Sequence, residues 1–152
     1  MTELNVGKKH LLEAVKKVYA SKYSPKALYY RVDNGLSDAE TPMAVLVVEM
    51  LDAAVSGVIY TADPAGSSAG TLTIHSLWGL GEPLVSGEIS PDILTVDKNI
   101  PHDIIHRQHG DKFTEMVCDG QGKGLQRTVP EDRRRALSLD DNAARELAGI
   151  AL

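Results

Sequence analysis

Ala44-Val-Leu-Val-Val-Glu49-Met50 and, after Leu51–Ala54, Val55-Ser-Gly-Val-Ile-Tyr-Thr61 form the stretch on which the fold turns. The first half is a short, nearly unbroken apolar run rich in valine. Branched side chains suit a pleated backbone, and a continuous apolar run predicts a strand covered on both faces. The second half predicts another strand. Leu51–Ala54 is short enough to predict that the two pair antiparallel. Downstream, Thr71–Leu77, Ile93–Asp97, Ile104–Gln108, Phe113–Cys118 and Leu125–Val129 read as further short strands. Polar turns starting at Asp97, His109 and Asp119 separate the later ones. Asp63–Gly70 is a loop by composition, and Gly79–Gly87 is a glycine-punctuated loop or short helical turn.

Upstream, the pattern changes to a helical period. Leu11, Val15 and Val18 fall on one face, with Leu12 and Tyr19 beside it and lysines elsewhere. Ser24-Pro25 predicts a second helix, with serine as cap and proline in the first turn, ending near Asn34-Gly35. Residues 35–42 read as a polar loop. At the other end, Ser138-Leu-Asp-Asp141 resembles a capping box. Ala144, Leu147, Ala148 and Ala151 then repeat at helical spacing. The pattern runs to Leu152 without a C-cap, which predicts that the chain continues in a longer protein.

The chain has 152 residues and a formal net charge of -5, with 43% apolar and 24% charged residues. That is enough for one core, and the acidic balance speaks against nucleic acid or an anionic membrane as partner. Cys118 is the single cysteine, so no internal disulfide is possible and a reducing cytoplasm is the expected compartment. No apolar run approaches the roughly 20 residues of a membrane span. There is no Walker A motif, and Gly79-Leu-Gly81-Glu82 lacks the third glycine of a dinucleotide fingerprint.

Several motifs stand in order. Val48-Glu49-Met50-Leu51 precedes Ser56-Gly57-Val58-Ile59-Tyr60-Thr61-Ala62-Asp63-Pro64. Trp78-Gly79-Leu80-Gly81-Glu82, Val85-Ser86-Gly87 and Ser90-Pro91-Asp92 follow. With Asn5-Val6, Ala20–Ala27, Tyr30-Arg31, Gly110-Asp111-Lys112 and Ser138-Leu139, they resemble the N-terminal ATP-grasp domain shared by phosphoenolpyruvate synthase, pyruvate phosphate dikinase and rifampicin phosphotransferase, closest to the synthase. The resemblance implies an α+β fold, an ATP-grasp-like subdomain with an antiparallel or mixed sheet of about six to seven strands flanked by helices. Residues 1–34 would be a helical lead-in, 43–129 the sheet region and 130–152 the start of a further helical segment.

The resemblance also implies ATP and Mg²⁺ as ligands. The partners would be the other domains of a parent phosphotransferase, one carrying a phosphohistidine and one binding pyruvate. Glu49, Met50 and Leu51 would form the adenine hinge. A carboxylate oxygen suits the exocyclic amine of adenine, and the Leu51 N–H suits a ring nitrogen. Family members usually carry glutamine where Glu49 stands. The alternative for Glu49 is a strand-end carboxylate facing solvent. Glu82 would lie on the phosphate and metal side, or else be a helix N-terminal glutamate placed by the helix dipole.

Nothing here matches the family's N-terminal lysine, its Arg-Ser-Ser segment, or its Asp-Ile-Glu and Gln-Ala-Arg strands, so the chain alone is expected not to transfer phosphate. A stand-alone binding module is the rival expectation. Arg31 reads as a structural ion pair, Asp63 and Asp92 as turn residues beside proline, and Lys112 as a strand-start lysine. Trp78 reads as a packing anchor and Arg133–Arg135 as a solvated helix face. His106 and His109 are three apart with His102 near, a spacing open to zinc, but they fall on a predicted strand and turn without a cysteine or a Glu-x-x-His helix, so a zinc site is not expected.

Overall fold

The computed structural model describes residues 1–62, 69–119 and 124–152. Asp63-Pro64, most of the 63–70 loop and the centre of the turn after Asp119 lie outside the described residues. The chain divides into two units. One is Met1–Leu51 with the described ends of Cys118–Gly124, and the other is Asp52–Val117 with Leu125–Leu152.

In the first unit, α1 (Leu11–Ala20) follows a single turn at Lys8–His10, and α2 (Pro25–Asp33) follows another at Ser21–Tyr23. The Ser24 hydroxyl accepts from the Ala27 N–H at 3.4 Å, and Pro25 needs no partner for a missing N–H, so α2 starts where the sequence predicts. Gly35, at a φ of +66°, closes it. The 35–41 loop folds back on α2 through Arg31, whose guanidinium donates to Asp38 at 2.7 Å, with Lys22 at 2.9 Å from the same carboxylate. Hydrogen bonds from Lys22 and Arg31 hold the Asp38 carboxyl below its ordinary range. Arg31 is thus the structural ion pair that the sequence predicts.

The predicted strand over 44–50 is not realised. No residue of 44–50 joins a ladder among the described residues. Leu46, Val47, Val48 and Leu51 are 84%, 58%, 72% and 74% exposed. Apolar periodicity reports the tendency to be covered, but a strand also needs a neighbour for its N–H and C=O groups. The antiparallel pair across Leu51–Ala54 fails with it.

The second unit holds the sheet. β1 (Val55–Tyr60), β2 (Thr71–Trp78), β3 (Asp92–Asp97) and β4 (Ile104–Gln108) form a four-stranded antiparallel sheet in chain order. β5 (Thr114–Cys118) and β6 (Gly124–Thr128) form a separate two-stranded sheet. In place of the expected sheet of about six to seven strands, the described residues form six strands in two sheets. α3 (Glu82–Ser86), α4 (Glu131–Arg135) and α5 (Asp141–Ala151) complete the order.

The register explains the core. Ile59 pairs with Ile74 and Ile74 with Leu94, while Leu72 pairs with Val96, so their side chains share one face. Ala144 and Ala148 of α5 pack on that face and are fully buried. Their small side chains let the helix approach closely. Each large apolar side chain buried there contributes about 1.5–3 kcal/mol. α5 is capped by Asp140, whose carboxylate accepts from the Ala143 N–H at 2.8 Å. The predicted cap, Ser138, is used elsewhere.

Candidate functional site

A cleft of about 780 Å³ lies within the first unit. Its walls are the N-terminal residues, the Leu11, Ala14, Val15 and Val18 face of α1, and the segment from Met43 to Met50. The amphipathic face that the sequence assigns to α1 thus lines a cleft instead of a closed core; only Ala14 of that helix is buried.

Two of the three expected hinge residues, Glu49 and Met50, line this cleft, whereas Leu51 does not. Glu49 is exposed, and no described group hydrogen-bonds to its carboxylate. The lining is mostly apolar, with Thr2, Glu3, Asn5, Lys8 and Glu49 as its polar side chains, so it offers apolar walls together with hydrogen-bonding groups of both kinds.

Glu82 is not part of this cleft. It lies in the first turn of the five-residue α3, exposed to solvent and without an ion pair among the described residues. No group of three or more His, Cys, Asp or Glu side chains placed to hold a metal occurs among the described residues.

The glycines before Glu82 have a packing reason. Gly79 has a φ of +75°, and a Cβ there would meet the Met116 carbonyl oxygen at 2.2 Å. Only glycine permits that approach, which lets the Leu80 N–H donate to Met116 at 2.7 Å. Trp78 is the anchor that the sequence predicts. Its Nε1–H donates to the Arg133 carbonyl at 3.1 Å, and the Arg133 guanidinium stands 4.3 Å from its ring centroid.

Three expectations are corrected here. Asp92 is not a mere turn residue and Lys112 is not an ordinary strand-start lysine: both are buried, and the lysine donates to the carboxylate. The same Oδ1 accepts from the Gly110 N–H at 2.8 Å. Asp92 Oδ2 accepts from the Ser138 N–H and hydroxyl, both at 2.7 Å. The Ser138 hydroxyl lies 2.9 Å from that of Ser76. Burial pushes the Asp92 carboxyl up, but the hydrogen bonds from Lys112, Gly110 and Ser138 outweigh it and hold the carboxyl below its ordinary range.

The third correction concerns Arg133–Arg135. Arg133 and Arg127 both donate to Glu115, which is 2% exposed, from 3.2 and 2.7 Å. Arg134 donates to the Val129 carbonyl at 2.6 Å. Only Arg135, paired with Glu131, remains on an open helix face. The buried carboxylates were missed because their partners are remote in sequence. One signal was present: Asp92 is in strand phase with Leu94 and Val96, which puts it on their inward face.

Comparison with known proteins gives consistent relatives. The family described as pyruvate phosphate dikinase, AMP/ATP-binding domain, matches residues 1–152. A "Probable phosphoenolpyruvate synthase" of Methanocaldococcus jannaschii is 33% identical over 99% of this chain and 13% of its own length. A rifampicin phosphotransferase of a Streptomyces species is 35% identical over 98% of this chain and 17% of its own. The prodigiosin synthesizing transferase PigC of Serratia marcescens is 34% identical over 95% and 16%. The chain therefore spans between 13% and 17% of the length of these relatives. No helix among the described residues is long and apolar enough to cross a membrane.

Proposed function

Because the chain belongs to the pyruvate phosphate dikinase AMP/ATP-binding domain family, we propose that its cleft receives the adenine of ATP and that Glu49 reads the base. The observation that carries this is the placement of Glu49 and Met50 on the wall of an otherwise largely aliphatic cleft. The Glu49 carboxylate accepts from the exocyclic amine. The Leu51 N–H is assigned to a ring nitrogen, and the valines of 45–48 and of α1 flank the ring. The base is thereby oriented by a charged acceptor and a backbone donor and flanked by apolar side chains.

In this reading the chain is part of the nucleotide-binding domain of a phosphoenolpyruvate synthase-like phosphotransferase in the cytoplasm. The parent protein converts ATP, pyruvate and water to phosphoenolpyruvate, AMP and phosphate. It does so through a phosphohistidine on another domain, and a further domain binds pyruvate. The relatives named for rifampicin and prodigiosin chemistry share this segment. The shared part is therefore assigned to the nucleotide, and the acceptor to other domains. Mg²⁺ would accompany the phosphates. Glu82 is the residue of this chain assigned to the phosphate and metal side, and no step is routed through the ion.

The test is a titration of the chain with Mg-ATP, followed by amide resonances. Shifts are expected in residues 43–51, with a dissociation constant of about 1 mM or weaker, on the order of -4 kcal/mol. Glu49→Ala should weaken ATP by about 1.5–3 kcal/mol, the range for a hydrogen bond to a charged group. Because Glu49 is exposed, the same change should leave stability within about 0.5 kcal/mol. Shifts confined to residues outside 43–51, or an unchanged affinity in Glu49→Ala, refute the assignment.

A further inference from the structure

Among the described residues, no backbone N–H or C=O of 43–51 takes part in a hydrogen bond. Leu46, Val47 and Val48 are exposed, and the half-buried Met43 and Val45 alternate with the exposed Ala44 and Leu46, which is the period of a strand. A valine-rich backbone of this kind suits a pleat, yet it lacks a ladder partner. Natural proteins ordinarily protect an exposed strand edge with charge. β4, at the end of its sheet, carries His106 and Arg107. The 44–48 run carries no charged side chain at all. Its unprotected edge is therefore open to strand addition, in which main-chain hydrogen bonds give affinity and side chains give selectivity.

We infer that this run pairs antiparallel with the same run of a second copy of the chain. The inference goes beyond the adenine reading and does not rest on it, since it uses the main-chain groups of 44–48. Side chains select both the partner and the direction. Centred on Val47, the antiparallel register sets Val47 against Val47, Leu46 against Val48 and Val45 against Glu49, so apolar side chains meet apolar ones across the centre. Glu49 is the only charge in 44–50. Its two copies then stand four residues apart along the ribbon, about 13 Å, beyond the screening length of about 10 Å at about 0.1 M salt. In a parallel register they would stand side by side at about 4.8 Å, and like charges directly opposite are destabilising. Charge thus decides for the antiparallel arrangement. So short a ribbon buries less than the roughly 1,000 Å² of a lasting interface, so the association is reversible.

Sedimentation velocity over a concentration series compares the wild-type chain with Val47→Lys, Val47→Glu and an equimolar mixture of the two. The wild type is expected to pass reversibly from monomer to dimer. Each charged variant alone sets like charges against each other at the centre of the ribbon and should weaken dimerisation by about fivefold or more. The mixture sets opposite charges against each other and should recover the dimer as a heterodimer. Glu49→Gln tests the direction. It should leave the antiparallel dimer unchanged, whereas a dimer strengthened by about threefold or more would overturn that register. Unshifted amides in β2 and β3 show that each variant keeps its fold. The inference is overturned by a wild type that stays monomeric throughout, or by association that continues past the dimer. It is equally overturned by charged variants that dimerise as the wild type does, or by a mixture no more dimeric than its components.

Discussion

Breaking the Asp92–Lys112 pair should destabilise the sheet unit asymmetrically. Lys112 has Asp92 as its one acceptor among the described residues, and both side chains are buried. Asp92, by contrast, keeps three further donors: the Gly110 N–H, the Ser138 N–H and the Ser138 hydroxyl. Removing one partner of a buried ion pair costs about 3–5 kcal/mol, because an uncompensated charge is left in a poorly solvated site. Lys112→Met leaves a carboxylate that is still hydrogen-bonded, so its cost should sit near 3 kcal/mol. Asp92→Asn leaves an ammonium facing a neutral amide and turns one NH₂ toward existing donors, so its cost should approach 5 kcal/mol.

The double variant should cost at least about 2 kcal/mol less than the sum of the singles, since neither orphan charge remains. Urea unfolding followed by Trp78 fluorescence is suited to this. Trp78 is the only tryptophan, and it sits on β2 under Arg133. A loss below about 1 kcal/mol in Asp92→Asn, or singles that simply add, would falsify the view that this pair holds the unit together.

Acid should act through the same group. The folded Asp92 carboxyl titrates below its ordinary value of 3.8, so its contribution is complete above that pH and is lost as the pH falls through the lower, folded value. The urea midpoint of the wild type should therefore drop below pH 4 more steeply than that of Asp92→Asn; equal slopes refute the link. Gly110→Ala would place a Cβ 2.2 Å from the Ser90 carbonyl oxygen and 2.3 Å from Pro91 backbone atoms. A loss of about 1–3 kcal/mol is expected in the same assay, against near-neutrality for Gly7→Ala, where nothing lies within 4 Å. Arg133→Ala should remove about 1–2 kcal/mol of cation–π contact and red-shift Trp78 emission; unchanged emission would show that the ring is not covered by Arg133.

Much of the local structure is readable from the chain. Ser24-Pro25 starts α2, Gly35 closes it, and β1 to β6 fall within a residue or two of their apolar, branched runs. These are signals a residue carries with it: a hydroxyl that can cap, a φ that is free or fixed, a side chain that fits a pleat. What the chain does not display is pairing. The 44–50 run has the composition of a covered strand, yet no described neighbour joins it in a ladder. Asp92 meets Lys112 and Ser138 across 20 and 46 residues, and each looks locally like a turn or surface residue. Phase would have helped: Ser76 alternates with Leu72 and Ile74, and Asp92 with Leu94 and Val96, placing both polar groups inward. A buried aspartate calls for a buried cation, and the search for one leads to Lys112.

The motifs that tie this chain to its family therefore report two different things. Ser90-Pro91-Asp92, Gly110-Asp111-Lys112 and Ser138 converge on one buried polar network, and Trp78-Gly79 on the Arg133 and Met116 contacts. These residues build the sheet unit, and none of them lines the cleft. The residues of these motifs thus serve to fold the protein. Glu49, exposed and without a described partner, belongs to the other group. Variants at Asp92, Lys112 or Gly110 should lower the urea midpoint, whereas Glu49→Ala should leave it in place and change only the response to ATP. If Glu49→Ala instead unfolds the chain as Asp92→Asn does, position 49 belongs with the scaffold, and the cleft loses its base-reading group.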